Sequence, residues 1–139
     1  MKFKLRLLFV SSLTLVAALP FSPRVLAQTG VVRKPLLTAH LLPEKTVTTV
    51  EIKEVTIPPN GKTMLHVHPI PVVGVIHESV IAFQVEGQPL QHLRPGNAFF
   101  EPANTRILHF DNESDTPARF SACYLLGKDE HEIIRFLKQ

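Results

Sequence analysis

Cysteine is almost absent from this sequence, which has Cys123 as the only cysteine in its 139 residues. One cysteine forms no disulfide within its own chain, so a small domain held together by disulfides is excluded. Internal repeats, a phosphate-binding glycine loop, paired catalytic carboxylates and a nucleophile with its base are absent too. The composition, 45% apolar and 19% charged, is that of one ordinary globular domain.

Acidic residues are missing from the first 27 positions, which contain Lys2, Lys4, Arg6 and Arg24. Removing this stretch takes away four of the 15 basic residues and none of the 12 acidic ones, which leaves a net charge near −1. A nucleic-acid surface needs a sustained field of Lys and Arg, and the remaining basic residues are scattered singly. We therefore expect no nucleic-acid partner.

The stretch 1–27 has the layout of a secretory signal peptide. A basic start is followed by an apolar run, Leu7–Leu19, then by Pro20 and by small or aliphatic residues at Val25 and Ala27. The run falls short of the roughly 20 residues that span a bilayer, although an uncleaved anchor is the alternative interpretation. We expect cleavage after Ala27, export to a periplasm or beyond, and no membrane association afterwards.

Proline occurs 12 times, so few stretches before residue 118 have room for a long helix. Between the prolines lie short runs rich in β-branched and aromatic residues, separated by turn sequences such as those at 59–61 and 94–96. Many short strands at regular spacing predict an all-β sandwich or barrel. The predicted strands are Thr46–Ile57, Val72–Ile76, Val80–Val85, Asn97–Glu101, Arg106–Phe110 and Ala118–Leu126.

The two ends of the mature chain differ from this pattern. Ile133, Ile134 and Leu137 recur at helical spacing, which predicts a short C-terminal helix on the barrel. Residues 28–45 are predicted to be a loose arm or an edge strand that seeks a partner subunit, and residues 46–139 to be the folded domain.

Two histidines, His66 and His68, stand two residues apart in the sequence. Residues at this spacing on a strand face the same side, so both imidazoles are placed to share one metal ion or one ligand. Spacing alone is a weak signal, because a polar pair arises by chance as well.

From Thr46 to Leu126 the sequence resembles the cupin superfamily of small β-barrels. Cupins are described by two motifs, G(x)5HxH(x)3-4E(x)6G and G(x)5PxG(x)2H(x)3N, whose three histidines and one glutamate hold a metal. His66 and His68 fall on the first pair of histidines, and Gly96 and Pro102 have the spacing of the second motif. The resemblance implies a cupin β-barrel of the double-stranded β-helix, or jelly-roll, type.

The sequence departs from the motifs at two of the four ligand positions. Val72 occupies the glutamate position and Ile107 the third histidine position, while Asn60 and Ser79 replace the opening and closing glycines of the first motif. We therefore expect part of the cavity to be apolar.

Other residues are candidates for the missing ligands. His109 lies two residues after Ile107 and is our preferred third metal ligand, with a local hydrogen bond as the alternative. His77 is a weaker candidate, because the alternation of residues along its strand fits an inward or an outward side chain equally well. Glu101 is a general acid or base if it points into the barrel, and a structural corner otherwise.

The resemblance implies two functions of different class. The first is an exported cupin that holds Mn, Fe, Ni, Cu or Zn through His66, His68 and His109 and binds a small molecule, with dioxygenase, isomerase or decarboxylase chemistry if it is an enzyme. The second is a non-catalytic cupin that binds or senses a small apolar ligand without metal. A homodimer is compatible with both functions. The sequence does not predict the specific reaction or the substrate of the protein.

Overall fold

Nine β-strands form the regular structure of residues 30–138, which are the residues that this computed structural model describes. The predicted signal peptide, residues 1–27, lies outside them. Within 30–138 there is no helix, and thus none that is long and apolar enough to cross a membrane. The strands are β1 (Thr49–Ile57), β2 (His66–Val67), β3 (Val72–Glu78), β4 (Ile81–Val85), β5 (Gln91–Leu93), β6 (Ala98–Glu101), β7 (Arg106–Asn112), β8 (Ala118–Leu126) and β9 (Arg135–Phe136).

The strands form two antiparallel sheets that face each other. One sheet has the order β1-β8-β3-β6 and the other the order β5-β4-β7-β2-β9. All strand pairs are antiparallel, with β1 and β8 matched along their full length from Thr49 opposite Leu126 to Ile57 opposite Ala118. The expected all-β architecture is confirmed, and each of the six predicted runs overlaps one strand.

The core lies between the two sheets and is rich in phenylalanine. Along β8, buried and half-buried residues alternate without a break, as a strand with one inward face requires. Phe83 and Phe110 from one sheet meet Phe99 and Phe120 from the other, with ring centroids 4.8 to 6.0 Å apart. The Phe99–Phe110 pair is edge-to-face, and the other two pairs across the sheets are tilted. These contacts join the sheets through the aromatic geometry that rings prefer.

The predicted C-terminal helix is wrong. Residues 128–129 form a turn, no residue from 130 to 138 is helical, and β9 pairs with β2, with Phe136 opposite His66 and Arg135 opposite Val67. A helix of one to three turns is marginal in water, whereas the free edge of β2 offers unpaired backbone groups that an added strand satisfies. The Leu137 N–H also donates to the Leu65 carbonyl at 2.9 Å.

The segment before β1 contains no strand from residue 30 to residue 48. Leu36, Leu37 and Leu41 line a groove on the outer face of the β1-β8-β3-β6 sheet, beside Val73 and Cys123. Leu36 and Leu37 are nevertheless exposed, so this arm covers the sheet only in part.

Candidate metal centre

The two histidines of the predicted pair lie side by side inside the barrel. His66 is in β2, held between β7 and β9, and His68 follows the strand directly. Each residue is only 4% exposed, and their rings are 5.1 Å apart and nearly perpendicular. The short strand β2, which the sequence pattern did not reveal, is therefore the element that carries the histidines inward.

Both imidazoles have their Nδ1 atoms engaged by backbone carbonyls. His66 Nδ1 donates to the Met64 carbonyl at 2.7 Å, and His68 Nδ1 donates to the Ile133 carbonyl. Because a carbonyl oxygen only accepts, each Nδ1 carries the hydrogen, and in the neutral ring Nε2 has the free lone pair. This is the tautomer and the outer hydrogen bond that metal-ligating histidines use.

A carboxylate from another strand completes the cluster. Glu101 ends β6, is 4% exposed, and places its Oε2 atom 3.2 Å from Nε2 of His68. One ligand atom from each of His66, His68 and Glu101 lies within 4.8 Å of the others. Two ligands on one ion lie at most about 4.2 Å apart, so a small contraction brings all three into range.

The chemistry of these atoms requires a proton or a metal ion between them. A neutral His68 turns the lone pair of Nε2 toward a carboxylate oxygen, which is also an acceptor, in a site shielded from water. Two acceptors at 3.2 Å repel each other unless a proton or a metal ion lies between them. The residues present therefore fit a divalent metal.

Burial and charge act in opposite directions on the ionisable groups of the cluster. Burial lowers the pKa of His66 and outweighs the Met64 carbonyl and the charge of Glu101. Burial also opposes the charged form of His68, but the hydrogen bond and charge of Glu101 together with the Ile133 carbonyl prevail and raise its pKa. Burial, with the charges of Glu101 and Glu51, raises the pKa of Tyr124, which keeps its phenol protonated.

The cluster borders a cavity of about 140 Å³ between the two sheets, which is partly open to solvent. The cavity has a polar end, formed by the cluster and Thr63, and its remaining wall is largely aromatic and aliphatic. A volume of this size holds about five water molecules, which makes it smaller than a site for a drug-sized ligand. The apolar wall includes Val55, Ile57, Phe110, Phe120, Ala122, Ile134 and Phe136.

His109 lies outside this cluster because β7 contains a bulge. Gln84 of β4 is opposite His109 and Val85 is opposite Ile107, so Leu108 is an extra residue between them. A bulge shifts the alternation of a strand, and here Ile107 is buried while the side chain of His109 is 49% exposed. The structure thus brings together His66 and His68 but places the preferred third ligand on the outside.

The weaker candidate His77 and two other residues with reactive or charged side chains, Arg106 and Cys123, also lie away from the cluster. His77 is exposed, with its Nε2 atom 3.0 Å from the Ser121 hydroxyl. Arg106 pairs with Glu86 at 3.0 Å, in the manner of an ordinary surface ion pair. Cys123 is half-buried on the outer face of its sheet.

The sequence makes Glu101 a candidate general acid or base, but it does not predict Glu101 as a metal ligand. Its alternation with Phe99 in Asn97–Glu101 is the signal that both side chains share the inward face. Glu101 pairs directly with Val72 across β3 and β6, and Val72 holds the glutamate position of the cupin motif. The carboxylate thus reaches the same part of the barrel from the neighbouring strand.

The motif positions that lack glycine keep a glycine-like backbone. Asn60, Ser79 and Asn104 have φ values of 55°, 65° and 56°, in the left-handed region that favours glycine. Asn60 and Ser79 stand at the opening and closing glycines of the first motif, and Asn104 at the glycine two residues after Pro102. The backbone course of the motifs is therefore retained where their side chains differ.

Solved structures of low sequence identity share this architecture. An oxalate oxidase solved with the substrate analogue glycolate matches 63% of this chain and 46% of its own, with 19% identity and a TM-score of 0.56. A DMSP lyase from Ruegeria pomeroyi matches 63% of this chain and 42% of its own, with 21% identity and a TM-score of 0.54. A cupin-like protein from Thermotoga maritima matches 63% and 64%, with 17% identity and a TM-score of 0.53. This chain has the cupin fold.

At sequence identities of about 20%, structural similarity establishes the fold of this chain but does not establish an activity. The chain spans less than half of the oxidase and of the lyase. No protein-family model matches the chain, and no curated protein matches its sequence. Any activity of this chain therefore depends on the chemistry of its own site.

Proposed function

We propose that this protein is a metal-binding cupin in which His66, His68 and Glu101 hold one divalent ion. The observation that carries this proposal is the hydrogen bonding of the two imidazoles. Each donates Nδ1–H to a backbone carbonyl, so Nε2 is the ring nitrogen available to a cation once any proton on it has left. The buried carboxylate beside His68 supplies the third ligand and the negative charge.

The two imidazoles and one carboxylate suit several divalent metals. Two imidazoles and one carboxylate with open positions are the ligands of non-haem Fe(II) oxygenases, and the same set holds zinc in some hydrolases. Mn, Ni and Cu also accept these ligands. With a divalent ion the site has a net charge of about +1, which favours an anionic or oxygen-rich ligand in the open positions.

The metal, when bound, supplies Lewis acidity that polarises an oxygen of the ligand. The chain's own residues orient that ligand and exclude water. Tyr124 lies in the cavity wall, and burial keeps its phenol protonated. Its hydroxyl is therefore available as a hydrogen-bond donor to the ligand. Phe110 and Phe120 form the apolar wall, so the ligand we propose is small, with one polar end and one apolar end.

The experiment that tests metal binding is elemental analysis of the purified protein after loading with Mn, Fe, Ni, Cu or Zn. We expect one metal ion per chain, and none in the His66→Ala/His68→Ala variant. The matched control is His77→Ala/His109→Ala, which removes two exposed histidines and retains the metal. A protein that takes up none of the five metals would overturn the proposal.

A second function, binding of a small apolar ligand without metal, is favoured by the largely apolar cavity wall. In this case the two histidines act only as hydrogen-bonding groups. The two functions separate in the same experiment, because an apolar-ligand protein stays metal-free after loading. A small apolar ligand that the metal-free protein binds, and that the His66→Ala/His68→Ala variant binds more weakly, would support this second function.

We also propose that the protein is exported to a periplasm or secreted, on the strength of the signal-like sequence at residues 1–27. The measurement is the intact mass of the protein recovered from the producing cells. We expect a chain that begins at Gln28, and a chain that retains residues 1–27 contradicts this proposal.

We propose in addition that two copies associate. β1 is an edge strand of its sheet, and Val50 and Ile52 on its outer side are 54% and 69% exposed. Exposed apolar residues on an edge strand are typical of a surface that pairs with another chain.

A further inference from the structure

The segment Ile133–Leu137 lies beside the strand that carries the histidines, and we call it the C-terminal strap. Phe136 pairs with His66 in the β2–β9 ladder, and Leu137 N–H donates to the Leu65 carbonyl at 2.9 Å. The strap therefore fixes the edge of β2 that faces away from β7.

The strap also contacts the second histidine. The Ile133 carbonyl accepts the Nδ1–H of His68, from a position 65 residues later in the chain. His66, by contrast, donates to a carbonyl only two residues away, at Met64. The orientation of His66 is thus set locally, whereas that of His68 depends on the strap being in place.

Side chains of the strap close the cavity. Ile134 and Phe136 belong to its wall, and the Phe136 ring lies 6.1 Å from the ring of His66. Phe136 is also 53% exposed, so the strap is the layer between this part of the cavity and solvent.

The strap is held at its start and lightly held along its length. Before it, the Glu130 carboxylate accepts the Gly127 N–H at 2.6 Å and pairs with Lys45. The strap itself contributes a strand of only two residues, Arg135–Phe136, both exposed. A ladder this short adds little stability by its own hydrogen bonds, and such segments open readily.

From these contacts we infer that the C-terminal strap is a positioning element for the metal ligands, His68 above all, and that metal binding in turn orders the strap. The inference rests on the proposed function. The outer hydrogen-bond partner of a ligating histidine typically contributes 10- to 100-fold, roughly, to metal affinity. Coupling between two binding equilibria is reciprocal, so an element that strengthens metal binding is itself stabilised by the metal.

The first test removes the strap. A chain that ends at Glu132 lacks the Ile133 carbonyl, and we expect it to bind Zn²⁺ about 10- to 100-fold more weakly than the full chain. The matched control ends at Leu137, lacks only Lys138 and Gln139, and binds Zn²⁺ as the full chain does. Equal affinity of all three chains would overturn the inference while leaving the metal site intact.

The second test uses the full chain and does not depend on the truncated one folding. Amide hydrogen exchange is measured with and without saturating Zn²⁺, and we expect the Leu137 amide to exchange at least about tenfold more slowly with the metal, by the reciprocity above. Unchanged exchange at Leu137 in a protein that binds Zn²⁺ contradicts the inference. A full chain that binds none of Mn, Fe, Ni, Cu and Zn overturns the proposed function, and with it this inference.

Discussion

Two histidine–carboxylate pairs of this protein have similar lengths and different surroundings. Inside the barrel, His68 lies 3.2 Å from Glu101, and both side chains are 5% exposed. On the β5-β4-β7-β2-β9 sheet, His109 lies 2.8 Å from Asp111, with side chains 49% and 10% exposed. The shorter contact is thus the one with more access to water.

The difference teaches that surroundings, rather than contact distance, make a pair of this kind a binding site. In the outer pair the His109 ring is half exposed to water, while Asp111 is largely buried and has a structural task as acceptor of the Thr63 N–H at 3.0 Å. Exposed ion pairs contribute little because water competes with the partner. The inner pair has lost its water, so its groups require a cation or each other.

The largest effect that separates the pairs is expected in metal affinity. Glu101→Gln keeps the shape of the side chain and removes the charged ligand. We expect the affinity for Zn²⁺ to fall by more than about 100-fold, since loss of a ligand exceeds loss of an outer partner. Asp111→Asn is the matched change in the outer pair and leaves the affinity unchanged; isothermal titration calorimetry measures both. Equal effects of the two changes would remove the distinction between the pairs.

Stability of the metal-free protein gives the second comparison. His68→Ala leaves the buried carboxylate of Glu101 without its partner, which we expect to cost about 3 kcal/mol of unfolding free energy. His109→Ala breaks the exposed pair and costs less than about 1 kcal/mol. Urea unfolding in the presence of a chelator measures both values, and a smaller cost for His68→Ala than for His109→Ala contradicts the expectation.

The smallest effect is in the titration of the two buried histidines of the metal-free protein. The folded pKa of His68 is raised, so its contribution to stability is complete below the unfolded pKa of about 6.5 and is lost as pH rises through the folded value. The folded pKa of His66 is lowered, so its unfolded form binds protons more readily and its contribution to stability falls as pH falls. NMR titration of the imidazole resonances should therefore show His66 losing its proton at lower pH than His68, and the reverse order would contradict the assigned burial and pairing.

Most of the fold was predictable from the sequence because local signals and barrel geometry agree. The β-branched and aromatic runs between prolines mark six of the nine strands of residues 30–138. The strands that were missed, β2, β5 and β9, have two or three residues each, too few to display an alternation. The tail was misassigned because Ile133, Ile134 and Leu137 fit a helical stripe, whereas the free edge of β2 decided its conformation.

The site was predictable only where the chain keeps its register. His66 and His68 share one face on either side of one residue, and the structure places them together. His109 was expected to face as Ile107 does, and the bulge at Leu108 reverses this. Glu101 reaches the cluster by pairing across strands, which no spacing along one strand reveals.

The C-terminal strap has a consequence for the order in which the site is assembled. A ribosome produces His66, His68 and Glu101 well before the chain reaches Ile133, whose carbonyl orients His68. A nascent chain with all three ligands still lacks that carbonyl and the wall formed by Phe136. The proposed metal site is therefore complete only once the strap has been synthesised, so we expect metal loading to follow the synthesis of Ile133–Leu137.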